Sequence, residues 1–325
     1  MRILVTGGGG FLGAAVSKAL VARGDTVIAF DTRFASRDAA KSEHCIRVPG
    51  DITDMAALAQ TVLTHQPDAV IHCAAIVGVL PSIGSPINIV RINVEGSINV
   101  FEAMRVGGIK RCIHISSEEA YGAFRSERID ETHPLEPVLP YGICKATVEQ
   151  LGRTYRDLHG LEVINLRTSW VYGPELPRDR IPRNLVLAAL QGQPLHVPCG
   201  ADTAIDHTHV DDWVSAVITA LDHGEHRYDV YNVSSGQAST VTELAAIVSE
   251  LIPGAKLSVG PGLYKHGNQI ELVRKGALDI SRAEAEMGWK PKYDIRSGLA
   301  TYIQAVRENR VSDNVPVAPG QSEEK

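Results

Sequence analysis

The sequence lacks any apolar run of the ~18 residues needed to cross a bilayer, so no membrane-spanning helix is expected. It lacks basic runs too. The formal net charge of −6 argues against a nucleic-acid binder. No Cys-x-x-Cys pair occurs. The five cysteines, Cys45, Cys73, Cys112, Cys144 and Cys199, are odd in number, and several lie in apolar segments. They read as reduced core thiols of a cytoplasmic protein, neither disulfides nor metal ligands, and no metal is expected. There is no internal repeat, and the N-terminus runs straight into a strand pattern, which reads as no signal peptide. What remains is an ordinary globular composition, 44% apolar and 22% charged. A chain of 325 residues is long enough for one large domain or two coupled ones.

The first thirteen residues carry the strongest local pattern. Ile3-Leu4-Val5 is too short an apolar run for a helix and reads as a buried strand. Gly7 to Gly10 follow, and Phe11 to Val21 has apolar residues at helical spacing. Strand, glycine turn and helix together form a phosphate seat: the free N–H groups of the helix N-terminus favour negative charge. Gly7 can take the positive φ of a tight turn, Gly10 lets backbone approach a pyrophosphate, and Gly13 lets helix pack on strand. The spacing leaves two readings open, Gly8-x-Gly10-x-x-Gly13 or a set of Gly7, Gly10 and Gly13.

Strand and helix then alternate. Val27 to Phe30 is a strand ending at Asp31, where an acidic residue accepts from the adenosine ribose and repels the extra phosphate of NADP. Asp31 thus points to NAD, with Arg33 the one hint the other way. Cys45 to Val48 is a strand closed by Gly50-Asp51-Ile52. Asp51 either meets the adenine amino group or caps a helix over Thr53 to Leu63. Ala69 to His72 is a strand, and the small Cys73-Ala74-Ala75 would let backbone pass beside the cofactor. A long helix over Pro86 to Val106, a strand over Arg111 to Ser116, a helix over Pro140 to Leu158 and a strand over Val163 to Arg167 complete an α/β pattern. This is a Rossmann-type doubly wound parallel sheet. Four prolines make Leu176 to Gly200 read as irregular. Helices are expected over Val210 to Leu221, Val241 to Leu251 and Ile295 to Val306, and a strand over Val230 to Val233. The expected organisation is an NAD-binding domain over 1–170, with returns from about 205–235. A smaller, mixed substrate-binding region follows over 171–310, and 311–325 reads as a disordered tail.

Two further constellations carry chemistry. Tyr141 and Lys145, four residues apart, share one helix face. A phenol with a pKa of ~10 is a poor base at neutral pH, but a nearby ammonium favours the phenolate. The pair can take a proton from a substrate hydroxyl. Ser116-Ser117-Glu118-Glu119-Ala120-Tyr121-Gly122 stands at a strand's carboxyl end. A hydroxyl there can share the substrate oxygen with Tyr141, and two carboxylates can do acid–base work on neighbouring carbons. The plainer reading is that Ser117 and Glu118 cap a turn.

The ordered set resembles one family, the extended short-chain dehydrogenases/reductases of the NAD-dependent epimerase/dehydratase type. The motifs are Thr6 to Gly13, Gly50-Asp51, His72 to Ala75, Asn93-Val94, Ser116-Ser117 with Tyr121-Gly122, and Tyr141 to Lys145. Val171 to Pro174, His209 to Asp212, Tyr231 to Val233 and Gly288 to Pro291 follow in order. The resemblance spans residues 1 to about 307. It implies NAD held at its pyrophosphate by Gly7, Gly10, Phe11, Leu12 and Gly13, at its ribose by Asp31 and at its adenine by Asp51 and Ile52. Ala74, Asn93, Tyr141 and Lys145 complete the cofactor set, Lys145 as a residue that could hold the nicotinamide ribose. Ser117, Tyr141 and Lys145 become a catalytic triad. The Ser117-Glu118-Glu119 segment resembles that of sugar-nucleotide 4,6-dehydratases and uronate decarboxylases, which makes Glu118 a candidate acid and Glu119 a candidate base. Ser82, Ser117, Trp170 and Arg274 are the candidate substrate residues. The resemblance also implies a homodimer, paired through the helices near 86–106 and 140–158.

Two stretches depart from the family pattern. Ile205-Asp206-His207 stands where these enzymes carry Arg-Asp-Phe, and isoleucine cannot offer the bidentate donors a diphosphate wants. Trp170 stands in place of Asn. Arg274, Arg178 and Arg180 are the candidates to replace the missing charge. The expectation is therefore an NAD-dependent oxidoreductase acting on a secondary hydroxyl of a sugar, sugar acid or nucleotide sugar. One alternative is a nucleotide-sugar epimerase, 4,6-dehydratase or decarboxylase with tightly held NAD. Another is a non-catalytic NAD sensor or scaffold.

Overall fold

The protein is seen here as a computed structural model that describes residues 1–34, 43–177, 179–267 and 269–308. Arg178 and the expected tail at 311–325 lie outside the described residues. The first half runs β1 (Arg2–Thr6), α1 (Phe11–Arg23), β2 (Thr26–Asp31), β3 (Cys45–Pro49), α2 (Met55–His65), β4 (Ala69–His72), α3 (Val79–Gly84), α4 (Pro86–Val90), α5 (Gly96–Gly107), β5 (Arg111–Ser117), β6 (Arg128–Ile129), α6 (Pro140–His159) and β7 (Glu162–Thr168). The second half runs β8 (Trp170–Tyr172), α7 (Ile181–Leu190), β9 (Leu195–Val197), β10 (Ala204–His209), α8 (Val210–Asp222), β11 (Val230–Asn232), β12 (Ala238–Thr240), α9 (Val241–Leu251), β13 (Leu257–Val259), β14 (Lys265–His266), β15 (Ile270–Glu271), β16 (Ala277–Leu278), α10 (Ser281–Met287) and α11 (Ile295–Arg307).

Seven parallel strands form the main sheet in the order β3-β2-β1-β4-β5-β7-β11. Successive side chains leave a strand on opposite faces, and β1 shows the result. Ile3 and Val5 join Val16 and Leu20 of α1 and Trp213 and Val217 of α8. Leu4 joins Leu58 of α2 and Val100, Phe101 and Met104 of α5 on the other face. Burial on both faces explains why the strand reads as a continuous apolar run. The chain leaves β1 towards β2 on one side and later returns through β4 on the other. The crevice between their carboxyl ends is where such sheets bind ligands.

Around the sheet's carboxyl edge, α7, α9 and α11 enclose a separate core of Leu185, Val186, Leu244, Val248, Leu299 and Tyr302. Helix α7 corrects the irregular reading of 176–200. Pro182 lies in its first turn, where the missing N–H costs nothing. The helix expected over Pro86 to Val106 carries a π turn at Arg91–Glu95 between α4 and α5. The helix expected from Thr53 begins at Met55, and its cap is Asp54, whose carboxylate accepts from the Ala57 N–H. Among the described residues, no helix is long and apolar enough to cross a membrane.

Candidate active site

The glycine turn adopts the Gly7, Gly10, Gly13 reading. Gly7 has φ +71°, and a Cβ on Gly13 would sit 2.0 Å from the Gly7 carbonyl. Gly10 is the N-cap of α1, with no side chain capping it. The first intrahelical bond runs from the Ala14 N–H to the Gly10 carbonyl. The preceding N–H groups of Phe11, Leu12 and Gly13 thus have no partner within the helix, and these residues line a cleft. A Cβ on Gly10 would meet only the Gly7 carbonyl, at 3.3 Å, so backbone there is open to a ligand. This donor set fits a pyrophosphate.

The cleft has a volume of about 450 Å³. Asp31, Asp51 and Ile52, the residues expected at the adenosine, line it. Asp31 accepts from the Gly9 N–H at 3.0 Å and the Arg33 N–H at 3.1 Å, which fixes its carboxylate beside the glycine turn. Asp51 turns the chain by accepting from the Thr53 N–H at 2.9 Å; it is not the helix cap. Ala74 also lines the cleft. Asn93 is not among the lining residues. Its amide accepts from the Ile76 N–H at 2.7 Å and donates to the Ile76 carbonyl at 2.9 Å, so it shapes the wall loop from behind.

Tyr141 and Lys145 line the middle of the cleft. Lys145 Nζ lies 5.9 Å from the Tyr141 ring centre and donates to the Ile115 carbonyl. Burial lowers its pKa from 10.5 to about 8. The buried Arg167 and Glu149 brace this region from behind. Glu149 accepts from Arg167 Nε at 2.9 Å and from the Ser116 hydroxyl at 2.5 Å.

Ser117, Glu118 and Glu119 line the same cleft. Ser117 Oγ accepts from the Glu119 N–H at 3.2 Å, capping a short 3-10 turn over Glu118–Ala120. The capping reading therefore holds for Ser117. Accepting leaves the hydroxyl proton available for a ligand oxygen.

Glu118 is 1% exposed. Burial raises its pKa from 4.5 to about 7, against the pull of Lys275. Hydrogen-bond counting agrees. Ser169 Oγ lies 2.6 Å from the Asp206 carbonyl and 2.8 Å from Glu118 Oε2. The hydroxyl has one proton, and a carbonyl can only accept. Hence a proton on Glu118 completes the chain. The other oxygen, Glu118 Oε1, is buried without a hydrogen-bond partner among the described residues. Glu119 Oε1 lies 3.4 Å from Lys275 Nζ, whose side chain is fully buried and which donates to the Gly122 carbonyl at 3.4 Å.

Four substrate positions separate here. Ser117 and Trp170 line the cleft, whereas Ser82 and Arg274 are not among its lining residues. Ser82 is buried, and its hydroxyl donates to the Val79 carbonyl of its own helix. Arg274 is exposed, and its neighbour Lys275 turns inward instead. Ile205 is fully buried and contributes nothing to the cleft. Among the described lining residues the full cations are Lys145 and Arg180. Arg180 lies 4.6 Å over the Trp170 ring. His207, Tyr264 and His266 surround that indole at 5.9, 5.7 and 5.9 Å between ring centres. Lys275 and His266 were not anticipated, and no local motif marks either.

The sequence profile of the NAD dependent epimerase/dehydratase family matches residues 3–234. The dTDP-glucose 4,6-dehydratase of Xanthomonas campestris is 32% identical, over 92% of this chain and 91% of its own. The UDP-glucose 4-epimerase of Thermotoga maritima, solved with UDP-glucose, has TM-score 0.86 at 27% identity, over 95% of this chain and 100% of that one. The dTDP-glucose 4,6-dehydratase of Bacillus anthracis, solved with NAD, has TM-score 0.83 at 26% identity, over 95% and 97%. With its cofactor seat, its Tyr–Lys pair and these similarities, the chain belongs to the NAD-dependent epimerase/dehydratase family of extended short-chain dehydrogenases/reductases, and its cofactor is NAD.

Proposed function

We propose that the protein is a nucleotide-sugar 4,6-dehydratase, in which oxidation of a sugar hydroxyl is followed by acid–base loss of water. The observation that carries this reading is Glu118, a buried carboxyl that holds its proton to about pH 7 beside the ion-paired carboxylate of Glu119. When bound, NAD takes up and returns a hydride, so that one hydroxyl is a carbonyl for part of the turnover. Tyr141 accepts the proton of that hydroxyl, with Ser117 sharing the oxygen. A carbonyl makes the adjacent C–H more acidic. Glu119 removes that proton, and Glu118 donates one to the departing hydroxyl, which leaves as water. Arg180 takes the diphosphate charge in place of the absent family arginine, and region 171–310 supplies the substrate walls.

The test is incubation with dTDP-, UDP- and GDP-glucose followed by mass spectrometry. The expected product is lighter by one water, with no accumulation of NADH. A new sugar of unchanged mass, resolved from the substrate by chromatography, would make the protein an epimerase. Accumulating NADH would favour a second reading, a dehydrogenase of a smaller sugar or sugar acid. The burial of Ile205 and the indole of Trp170 in the cleft favour that second reading. Turnover of none of the three would sink the proposal.

A further inference from the structure

A second group of titratable side chains lies at the opposite end of the sheet, where α8 leads into β11. His223 is the C-cap of α8, His226 follows in the connecting loop, and Glu286 stands on α10. We propose that these three residues bind one divalent transition-metal ion, zinc by the chemistry of the donors. One ligand atom from each residue lies within 4.8 Å of the other two. The imidazole centres are 4.8 Å apart, and His223 Nε2 is 4.0 Å from Glu286 Oε1.

The second observation is a shortage of protons. His226 Nε2 lies 2.9 Å from the Ala220 carbonyl. A carbonyl only accepts, so Nε2 carries the hydrogen and Nδ1 presents a lone pair. An imidazole steadied by a backbone carbonyl through one nitrogen is arranged to ligate through the other. The Tyr231 hydroxyl is 3.1 Å from that Nδ1 and 2.5 Å from Glu286 Oε1, and it has one proton for two acceptors. The Arg227 N–H also goes to Glu286 Oε1, at 2.6 Å. Among the described residues Glu286 Oε2 has no hydrogen-bond partner, although the Glu286 side chain is only 9% exposed. A cation bound by Nδ1 and Oε2 satisfies both.

Two imidazoles and a carboxylate suit zinc among the available divalent ions. Tetrahedral zinc at ~2.0–2.2 Å from its ligands sets them about 3.4 Å apart, so shifts of roughly 1 Å close the site. The group borders a surface cleft lined by Glu225, Arg227, Tyr228 and Arg282, which leaves room for a water as fourth ligand. Arg282 is already engaged, over the Tyr228 ring at 4.3 Å and with Glu131 at 3.4 Å. The bound ion would tie the end of α8 to α10 across the start of β11, away from the NAD cleft.

The test uses the full chain after dialysis against a chelator, titrated with zinc chloride by calorimetry and melted with and without it. Wild type is expected to bind one zinc and to melt higher in its presence. In His223→Ala and Glu286→Gln the affinity should fall tenfold or more, and the zinc-dependent rise should vanish. His223 caps α8 through its backbone N–H, which Ala keeps, and Gln keeps an acceptor for Arg227 and Tyr231. Equal zinc isotherms for wild type and both variants would overturn the proposal. So would the absence of any zinc-dependent rise in wild type, or an equal rise with magnesium, which prefers oxygen ligands.

Discussion

The protonation of Glu118 can be tested without any substrate, through Glu118→Gln. The amide matches the shape of the neutral acid and can donate to Ser169 Oγ in its place. Burial makes Glu118 ionise at about 7 in the fold and at about 4.5 when free. Between those values the folded protein holds a proton that the unfolded chain has lost. Stability therefore falls as pH rises through that window, and it levels off above about pH 7. Ionising the buried group in place costs at most about 3 kcal/mol. The variant has no group to ionise. It should match wild type near pH 4.5 and exceed it by up to about 3 kcal/mol at pH 8. Asp206, which burial raises to about 6, is present in both proteins, and its charge is among those that raise Glu118. Urea denaturation at pH 5, 6, 7 and 8 with saturating NAD, comparing midpoints at constant slope, measures it. A difference that stays flat across that range would refute the assignment, because Glu118 would then be ionised in the fold throughout. The same variant keeps the packing but has no acidic proton, so water loss should fall by roughly 100-fold or more.

Tyr141→Phe should cut turnover by about 100-fold or more, the usual weight of a positioned acid–base group; unchanged turnover would remove Tyr141 from the role. Arg180→Ala should raise KM for a nucleotide sugar by about 10- to 100-fold, the weight of a lost charge-assisted hydrogen bond, with a smaller effect on kcat. An unchanged KM would place the diphosphate elsewhere. The ammonium of Lys145 ionises near 8 because burial lowers it from 10.5. Below that pH it is charged beside Tyr141, and above it the charge is lost. kcat/KM should therefore fall as pH rises through about 8, and a plateau extending to pH 10 would contradict this.

The cofactor half was legible because its demands are local. Strand, glycines and helix lie within Arg2–Arg23. Asp31 ends the next strand, and Tyr141 and Lys145 share a helix turn. Even here the spacing left Gly7 and Gly8 open, and only the φ of Gly7 chose between them. The substrate half was not legible because its contacts join distant segments. Lys275 reaches Glu119 from the other end of the chain, and Arg274 has the same charge one position away. Lys275 is buried and Arg274 exposed, and the nearest strand, β16, is two residues long, too short to show a period. Pro182 hid α7, since proline breaks a helix only in its interior. Asn93 reads as a cofactor contact until its amide is seen filled on both sides by Ile76.

The fold separates two neighbouring carboxyls by what each is given. Lys275 brings one full charge into this buried corner, 3.4 Å from Glu119 and 5.3 Å from the Phe124 ring centre. A buried cation needs an anion, and Glu119 is the carboxylate placed against it. Glu118 receives instead a neutral hydroxyl, Ser169, whose proton is already committed to the Asp206 carbonyl. Asp206 is in turn held by the N–H groups of Ser235, Gly236 and Leu278. The proton on Glu118 thus rests on a chain of acceptors that begins in β10, immediately after the isoleucine that replaces the family arginine. On the proposed function, the segment that carries Ile205 thus bears on the acid through Asp206 and Ser169.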